Sequence, residues 1–194
     1  MARLGFYFDM TKCTGCRSCQ VACKDRNMLE IGKLFRKVHT YETGKFPNPG
    51  YYNYSAACNH CADAKCVTGC PSGAMHYDKT DNTVQHDFAK CIGCQYCVWN
   101  CPYGAPQYID SLGKTRKCDA CKGLRDAGEN PVCVDACNMR VIEFGDLADL
   151  RAAHPGEELT DAIAIFPDPA ITQPSILIRP RSYAFLDNFQ EKIM

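Results

Sequence analysis

The sequence lacks the features of several large classes of protein. No stretch of its 194 residues approaches the roughly 18 consecutive apolar residues that suggest a membrane span. Neither sign of charge is in excess, with 22 basic and 22 acidic residues, so no general affinity for nucleic acid is indicated. The N-terminal MARLGFYFDMTKC contains neither the apolar core of a signal peptide nor a twin-Arg pair. We therefore expect a soluble chain without an export signal of its own, made in a reducing compartment.

Patterns that mark a catalytic site are also missing. The sequence contains no Ser or Cys nucleophile motif, no phosphate-cradling Gly loop and no metal-binding His pair at helical spacing. It therefore predicts no catalytic residue.

Cysteine, by contrast, is abundant, with 16 residues. In a short secreted chain this density indicates a disulfide scaffold, but in a reducing compartment clustered cysteines more often bind metal or carry out redox chemistry. They form four groups of four, and every group begins with C-x2-C and ends with C-x3-C. Conserved ends with a variable middle indicate one structural unit used four times. The first to fourth groups are Cys13, Cys16, Cys19, Cys23; Cys58, Cys61, Cys66, Cys70; Cys91, Cys94, Cys97, Cys101; and Cys118, Cys121, Cys133, Cys137.

This spacing favours iron-sulfur clusters. Three closely spaced cysteines can wrap three corners of a 4Fe-4S cubane, while the fourth enters a helix and binds the neighbouring cluster of a pair. The fourth group alone would also suit a structural zinc ion. However, that would leave Cys23 without a cluster, whereas sixteen thiolates complete four 4Fe-4S clusters with none left over.

The residue after each group indicates which groups pair. The second and third groups end in Cys-Pro, and the first and fourth do not. Pairing like with like makes the second and third the inner groups, and the first and fourth the outer groups. The predicted ligand sets are Cys13, Cys16, Cys19 with Cys137; Cys118, Cys121, Cys133 with Cys23; Cys58, Cys61, Cys66 with Cys101; and Cys91, Cys94, Cys97 with Cys70.

The predicted fold is α+β, with two interleaved bacterial-ferredoxin-like units, short hairpins and helices, and an irregular C-terminal arm. LGFYFD, YYNYS, TVQHD and VIEFGD have the alternating or aromatic character of strands, and AMHYDKTDNTVQHD is typical of a hairpin. RSCQVACKDRN, QYCVWNCP and DLADLRAAH suit helices. The predicted units are an outer one at 1–33 and 112–150, an inner one at 50–111, and a docking arm at 157–194.

Several residues beside the cysteines have two interpretations each. His60 could donate a hydrogen bond to sulfur or carry a proton, although a solvent-contacting loop residue is the favoured interpretation. Trp99 is expected to shield a cluster from water. Lys24, Arg116 and Lys117 could raise a nearby reduction potential through charge, or could be surface charges.

These motifs carry a family resemblance. CTGCRSCQVACKD, CNHCADAKCVTGCPSGAMH, CIGCQYCVWNCPYGAPQY and KCDACKGLRDAGENPVCVDACN resemble the four-cluster, ferredoxin-type iron-sulfur (B) subunits of molybdopterin oxidoreductases, and among them those of dimethyl sulfoxide reductases. The resemblance implies four 4Fe-4S clusters that relay single electrons between a large molybdopterin-containing catalytic subunit and a quinone-linked or soluble partner. It leaves open a membrane anchor subunit, and location in the cytoplasm or export in the folded state with a signal-bearing partner.

Other functions remain open at this point. The chain could be a free-standing polyferredoxin or a three-cluster protein with zinc in the fourth group. A catalytic iron-sulfur enzyme would need a cluster short of one ligand, and no group lacks a cysteine. A purely structural role for the metal would differ in having no reversible reduction.

Overall fold

The computed structural model describes residues 3–192, so residues 1–2 and 193–194 of the predicted end units lie outside the described part. The strands are β1 Leu4–Asp9, β2 Lys37–Lys45, β3 Asn48–Ala56, β4 Met75–Tyr77, β5 Val84–His86, β6 Gln107–Ile109, β7 Lys114–Arg116, β8 Ile142–Asp146, β9 Ile176–Arg179 and β10 Gln190–Lys192. The α-helices are α1 Ser18–Arg26, α2 Lys65–Thr68, α3 Tyr96–Asn100, α4 Lys122–Asp126, α5 Val132–Asp135 and α6 Leu147–Ala153. Short 3-10 turns lie at Asp110–Leu112, Pro169–Ile171 and Ser182–Phe185.

The first sheet has the order β8-β1-β9. Strand β1 is antiparallel to β8 and parallel to β9, with Phe6 opposite Phe144 and Ile176 respectively. Successive side chains of a strand point to opposite faces. Phe6 and Phe8 accordingly pack in the main core, whereas Tyr7 packs with the buried leucines of β9 and α6 on the other face.

The second sheet, of order β10-β2-β3, closes the other side of the main core. The β2–β3 hairpin contains the predicted YYNYS strand and brings Tyr41 opposite Tyr52. Tyr54 packs edge-to-face on Phe8 of the first sheet, with ring centroids 5.5 Å apart. Aromatic side chains therefore join the two sheets.

The α+β prediction of short helices and strands is confirmed. LGFYFD, TVQHD and VIEFGD lie in β1, β5 and β8, and the hairpin expected between the inner groups is β4–β5. The helices expected in RSCQVACKDRN, QYCVWNCP and DLADLRAAH are α1, α3 and α6. A third hairpin, β6–β7, leads from the third group to the fourth.

The expectation of an irregular arm at 157–194 is wrong for two strands within it, whereas most of residues 157–175 has little regular structure. Strand β9 belongs to the first sheet and β10 pairs with β2 of the second. Ile176, Leu177 and Ile178 are all buried, and Ile178 is 0% exposed. The prolines suggested an arm, but Pro174 and Pro180 flank β9 rather than interrupt it, so its ladder hydrogen bonds are retained.

Across residues 3–192, no helix combines the length and apolar character needed to cross a membrane.

Candidate metal centres

All sixteen cysteines are free thiols. Most are buried, and Cys16 is exposed. The disulfide scaffold considered from the composition is therefore not formed.

The backbone makes the same turn at the start of all four groups. The residue immediately before the second cysteine has a positive φ in every case: Gly15 (71°), His60 (43°), Gly93 (72°) and Ala120 (54°). This left-handed conformation is natural for glycine and costs energy for other residues. Two groups meet it with glycine, and the other two are held in it by the surrounding structure.

In the first and third groups the similarity continues into a helix. Arg17 and Gln95, which follow the second cysteine, both have φ 64° and cap helices α1 and α3. Helix α1 carries Cys19 and Cys23, and α3 carries Cys97. The fourth cysteine therefore lies on or at the end of a helix, with Cys23 within α1 and Cys101 at the C-cap of α3, as the spacing predicted.

The Cys13 set comprises three cysteines of the first group and one of the fourth. Cys13, Cys16, Cys19 and Cys137 line one cavity, whose remaining wall includes apolar side chains. Hydrogen bonds reach at least three of the sulfurs: the Val141 N–H donates to Cys137 Sγ over 3.4 Å, Ser55 Oγ lies 3.4 Å from Cys19 Sγ, and Ser18 Oγ lies 3.5 Å from Cys16 Sγ.

The Cys58 set joins the two inner groups in the same manner. Cys58, Cys61, Cys66 and Cys101 line a second cavity. Burial raises the pKa of the Cys61 and Cys66 thiols to about 12, and the neighbouring thiols of the set contribute to the rise.

The Cys91 set contains three cysteines of the third group, Cys91, Cys94 and Cys97, and one of the second, Cys70. Burial raises the pKa of Cys97, and the charges of Cys70, Cys91 and Cys94 raise it further, so these four thiols are neighbours. The Met75 N–H donates to Cys70 Sγ over 3.4 Å.

The Cys118 set is the reciprocal of the Cys13 set. Burial raises the pKa of Cys23 to about 12, and the nearby Cys133 and Cys121 thiols add to this effect. Cys118 is 8% exposed; burial raises its pKa well above the usual value, and the nearby Cys23 thiol raises it further. The Cys58 thiol also raises the pKa of Cys118, so the Cys118 and Cys58 sets are adjacent.

The thiol sets fit 4Fe-4S clusters. Each set combines sulfurs from two groups, and two of the sets line cavities with apolar walls. A raised pKa disfavours the bare thiolate, but bound iron stabilises it, so filling of the sites and deprotonation of the cysteines are coupled. Buried donors without a protein partner, among them Arg36 Nη2 and Asn59 Nδ2, are consistent with acceptors that the cofactor supplies.

Two interpretations of neighbouring residues are wrong. His60 does not contact solvent: it is 1% exposed, its Nδ1 accepts a hydrogen bond from the Val84 N–H, and its Nε2 has no partner. Burial lowers the pKa of His60 well below its usual value. Trp99 does not form a buried shield, because it is 69% exposed and packs edge-to-face on Tyr96.

The basic residues differ in their surroundings. Lys117 is buried, so the surface interpretation is wrong for it; its Nζ donates to the Cys118 carbonyl over 2.7 Å, and its charge acts to lower the pKa of Cys66. Lys24 and Arg116 are partly buried and donate to backbone carbonyls. Sequence reasoning missed Arg36, which is buried among the outer groups although no cysteine lies near it in the sequence.

Comparison with known proteins agrees with these features. Residues 50–147 match the family described as 4Fe-4S dicluster domain. The chain is 40% identical to the B chain of anaerobic dimethyl sulfoxide reductase from Haemophilus influenzae, over 96% of this chain and 93% of the relative. It is also 40% identical to the protein of the same name from Escherichia coli, over 92% and 89% of the two chains. The B subunit of sulfite dehydrogenase from Allochromatium vinosum is 34% identical, over 84% and 75%.

Proposed function

Because the protein belongs to the family of ferredoxin-type iron-sulfur subunits of molybdopterin oxidoreductases, we propose that it relays single electrons between a catalytic subunit and a second redox partner. The family expected from the cysteine motifs is thereby confirmed. Four 4Fe-4S clusters are the cofactors, and they supply one-electron oxidation and reduction. The protein supplies thiolates, spacing and an environment that excludes water.

The ligands we propose are the four sets described above, which are the sets expected from the sequence. One observation carries this proposal: Cys137 of the fourth group lies in the wall of the cavity formed by Cys13, Cys16 and Cys19. A zinc ion bound by the fourth group alone would need Cys137 beside Cys118, Cys121 and Cys133. The position of Cys137 therefore supports a cluster over the zinc alternative.

We further propose that the units interleave, with the inner unit at 50–111 and the outer unit at 1–33 and 112–150. Helix α1 of the first group packs against α5 of the fourth, and α2 of the second group packs against α3 of the third. The pairing of helices thus follows the exchange of cysteines. The β2–β3 hairpin, largely outside these boundaries, completes the core of the outer unit.

The partners we propose are a large molybdopterin-containing catalytic subunit and either a membrane anchor subunit or a soluble electron carrier. The support is that the relatives are named as individual chains or subunits of a reductase and a dehydrogenase, which implies other chains. Location would follow the partner, in the cytoplasm or exported together with it. A docking role for residues 157–194 would involve only the exposed side of the segment, since its inner side packs in this chain.

The test is anaerobic purification of the full chain, metal analysis and a reductive titration followed by EPR. We expect about sixteen irons per chain and four reversible one-electron steps. About twelve irons with one zinc would contradict the four-cluster proposal. Clusters that cannot be reduced reversibly would indicate a structural role and refute electron transfer. If the protein purified from its native host carried no other subunit, that result would favour a free-standing polyferredoxin.

A further inference from the structure

The guanidinium of Arg36 is a buried cation located between the two outer thiol sets. Arg36 is 3% exposed, and no Asp or Glu of residues 3–192 forms an ion pair with it. Its Nη1 donates to the Ser55 carbonyl over 3.0 Å and to Ser55 Oγ over 3.1 Å. Its plane covers the Phe6 ring at 4.6 Å. Its Nη2 is buried and has no hydrogen-bond partner.

The groups near Arg36 that can become negatively charged include four cysteine thiols. Burial acts to lower the pKa of Arg36, but Cys133, Cys19, Cys118 and Cys23 raise it, and the net change is upward. Cys19 belongs to the Cys13 set, and the other three belong to the Cys118 set. The same side chain therefore interacts electrostatically with both outer sets.

Direct contacts reinforce this placement. Ser55 Oγ lies 3.4 Å from Cys19 Sγ and accepts from Arg36, so a hydrogen-bonded chain connects the guanidinium with a thiol of the Cys13 set. On the other side, the positive charge of Arg36 acts to lower the pKa of the Cys23 thiol. Arg36 thus interacts with thiols of both outer sets.

A buried charge without a counterion is unfavourable, and an Arg remains protonated because its pKa is far above neutral. The negative charge of iron-bound thiolates, and of the inorganic sulfide of the clusters, would offset this penalty. Adding an electron makes a cluster more negative, so a nearby fixed cation stabilises the reduced state. Interior positions screen this interaction far less than surface positions do.

We propose that Arg36 tunes the reduction potentials of the two outer clusters together. Its single charge raises both potentials, and Nη2 is the donor reserved for cofactor sulfur. This inference rests on the proposed electron-transfer function and adds a tuning residue to it.

The test is a reductive titration, followed by EPR, of the full holoprotein with Arg36→Gln, Arg36→Lys or the wild-type residue. Gln keeps amide N–H donors for Ser55 but lacks the charge, and Lys keeps the charge but lacks the planar guanidinium group. We expect Arg36→Gln to lower two of the four midpoint potentials by at least about 59 mV each, a tenfold change in the one-electron equilibrium. Arg36→Lys should retain most of the wild-type values.

Arg151→Gln provides a matched control, since it removes the same charge from an exposed position on α6. We expect this variant to leave all four potentials unchanged, because solvent screens the charge. Unchanged potentials in a fully loaded Arg36→Gln protein would overturn the inference, as would an equal shift of all four.

Iron content resolves the case in which Arg36→Gln assembles poorly. Recovery of full iron content in Arg36→Lys would support a requirement for the charge, whereas equal loss in both variants would show a packing role and overturn the inference. Failure of the wild-type protein to show four reversible clusters would instead refute the proposed function, so the two failures are distinguishable.

Discussion

At the scale of single residues, the residue before the second cysteine of each group determines whether the ligand loop can close. All four such residues have a positive φ, but only Gly15 and Gly93 are glycines. Gly93 has an additional constraint, because a Cβ built on it would lie 2.3 Å from the Gly113 carbonyl oxygen. Two separate costs, backbone strain and a steric clash, therefore oppose a side chain at this position.

We expect Gly93→Ala to destabilise the protein and to reduce the iron content of the third group. Strain alone would cost about 1–2 kcal/mol, and the clash with a backbone atom adds to it. The matched control is Gly128→Ala: Gly128 also has a positive φ, 81°, but no atom lies within 4 Å of the position that a Cβ would take there. Thermal unfolding followed by CD should rank the wild type above Gly128→Ala and Gly128→Ala above Gly93→Ala. Equal melting temperatures for the two variants would show that the contact with Gly113 is unimportant.

His86 makes stability depend on pH. Burial lowers the pKa of His86 to about 4, with help from the charges of Lys117, His76 and Arg116 and against that of Asp87. In the unfolded chain a histidine titrates near 6.5. Above that pH both states are neutral at His86, and its contribution is fully present. As the pH falls from about 6.5 to about 4, only the unfolded state binds the proton, so stability is lost.

The expected result is a smaller acid sensitivity in His86→Gln than in the wild type. Unfolding of the holoprotein would be followed at pH 7 and pH 5 by loss of its visible absorbance and of its far-UV CD signal. The clusters are themselves acid-sensitive, and other groups also titrate in this range. Because the variant lacks only the His86 imidazole, the difference between the two proteins isolates the contribution of His86. The hypothesis fails if the two proteins lose stability equally between these pH values.

At the residue scale, the cysteine ligands stay a prediction from the sequence, whereas the predictions for several of their neighbours failed. Cysteine spacing reports on ligation directly, because the reach of a short loop limits which corners three thiols can occupy. Burial depends instead on contacts distant in sequence: His60 is covered partly by Val84, and Arg36 by Ser55 and Phe6. Trp99 sits between two cysteines in sequence yet points outward. No local pattern distinguishes these cases.

At the scale of secondary-structure elements, β9 shows where local signals mislead. The segment Ile176–Arg179 is short and lies between prolines, which suggested an irregular arm, yet it forms a buried parallel partner of β1. Parallel pairing joins strands far apart in the chain, so no turn signal announces it. Strands β1, β5 and β8 were predictable because their side chains alternate or are aromatic.

We expect Ile178→Ala to cost about 2–5 kcal/mol, since this side chain is 0% exposed in the main core. Leu186→Ala is a control in the same C-terminal segment: Leu186 is 42% exposed, and its truncation should cost about 0.5 kcal/mol or less. Thermal unfolding of the holoproteins measures both. If the segment were a mobile arm, Ile178→Ala would have the same melting temperature as the wild type. This outcome also bears on docking experiments, because deleting the whole segment would remove part of the core along with any interface.

At the scale of the whole molecule, the fold brings cysteines of distant groups to the same place. Cys13 and Cys137 lie more than a hundred residues apart in sequence but line one cavity. Cys23 likewise lies beside Cys133. The sequence predicts long-range pairing of this kind, because each group has one thiol that its own loop cannot use, and the ligand sets themselves stay a prediction. The β2–β3 hairpin, which packs in the same core as Cys19 and Cys137, was not predicted as a unit, since nothing in its sequence indicates its partners.

The pairing makes two cysteine substitutions give crossed results. Cys137→Ser should perturb the EPR signal of the cluster held by the N-terminal loop of Cys13, Cys16 and Cys19. Cys23→Ser should perturb the cluster held by Cys118, Cys121 and Cys133. Each variant should leave the two inner clusters at wild-type potentials, because Cys70 and Cys101 are the proposed fourth ligands of those clusters.

Cys101→Ser is the matched control, since it removes a fourth-position cysteine from an inner group and should affect only the cluster of Cys58, Cys61 and Cys66. EPR-monitored titrations of the three variants, with iron and zinc analysis, separate the alternatives. An unperturbed N-terminal cluster in Cys137→Ser would refute the exchange between the outer groups. Because serine oxygen can still bind iron weakly, a shifted potential with full iron content counts as a perturbation. Ligands that all stayed within their own group would instead make each substitution act on the loop that contains it, so the location of the affected signal decides the question.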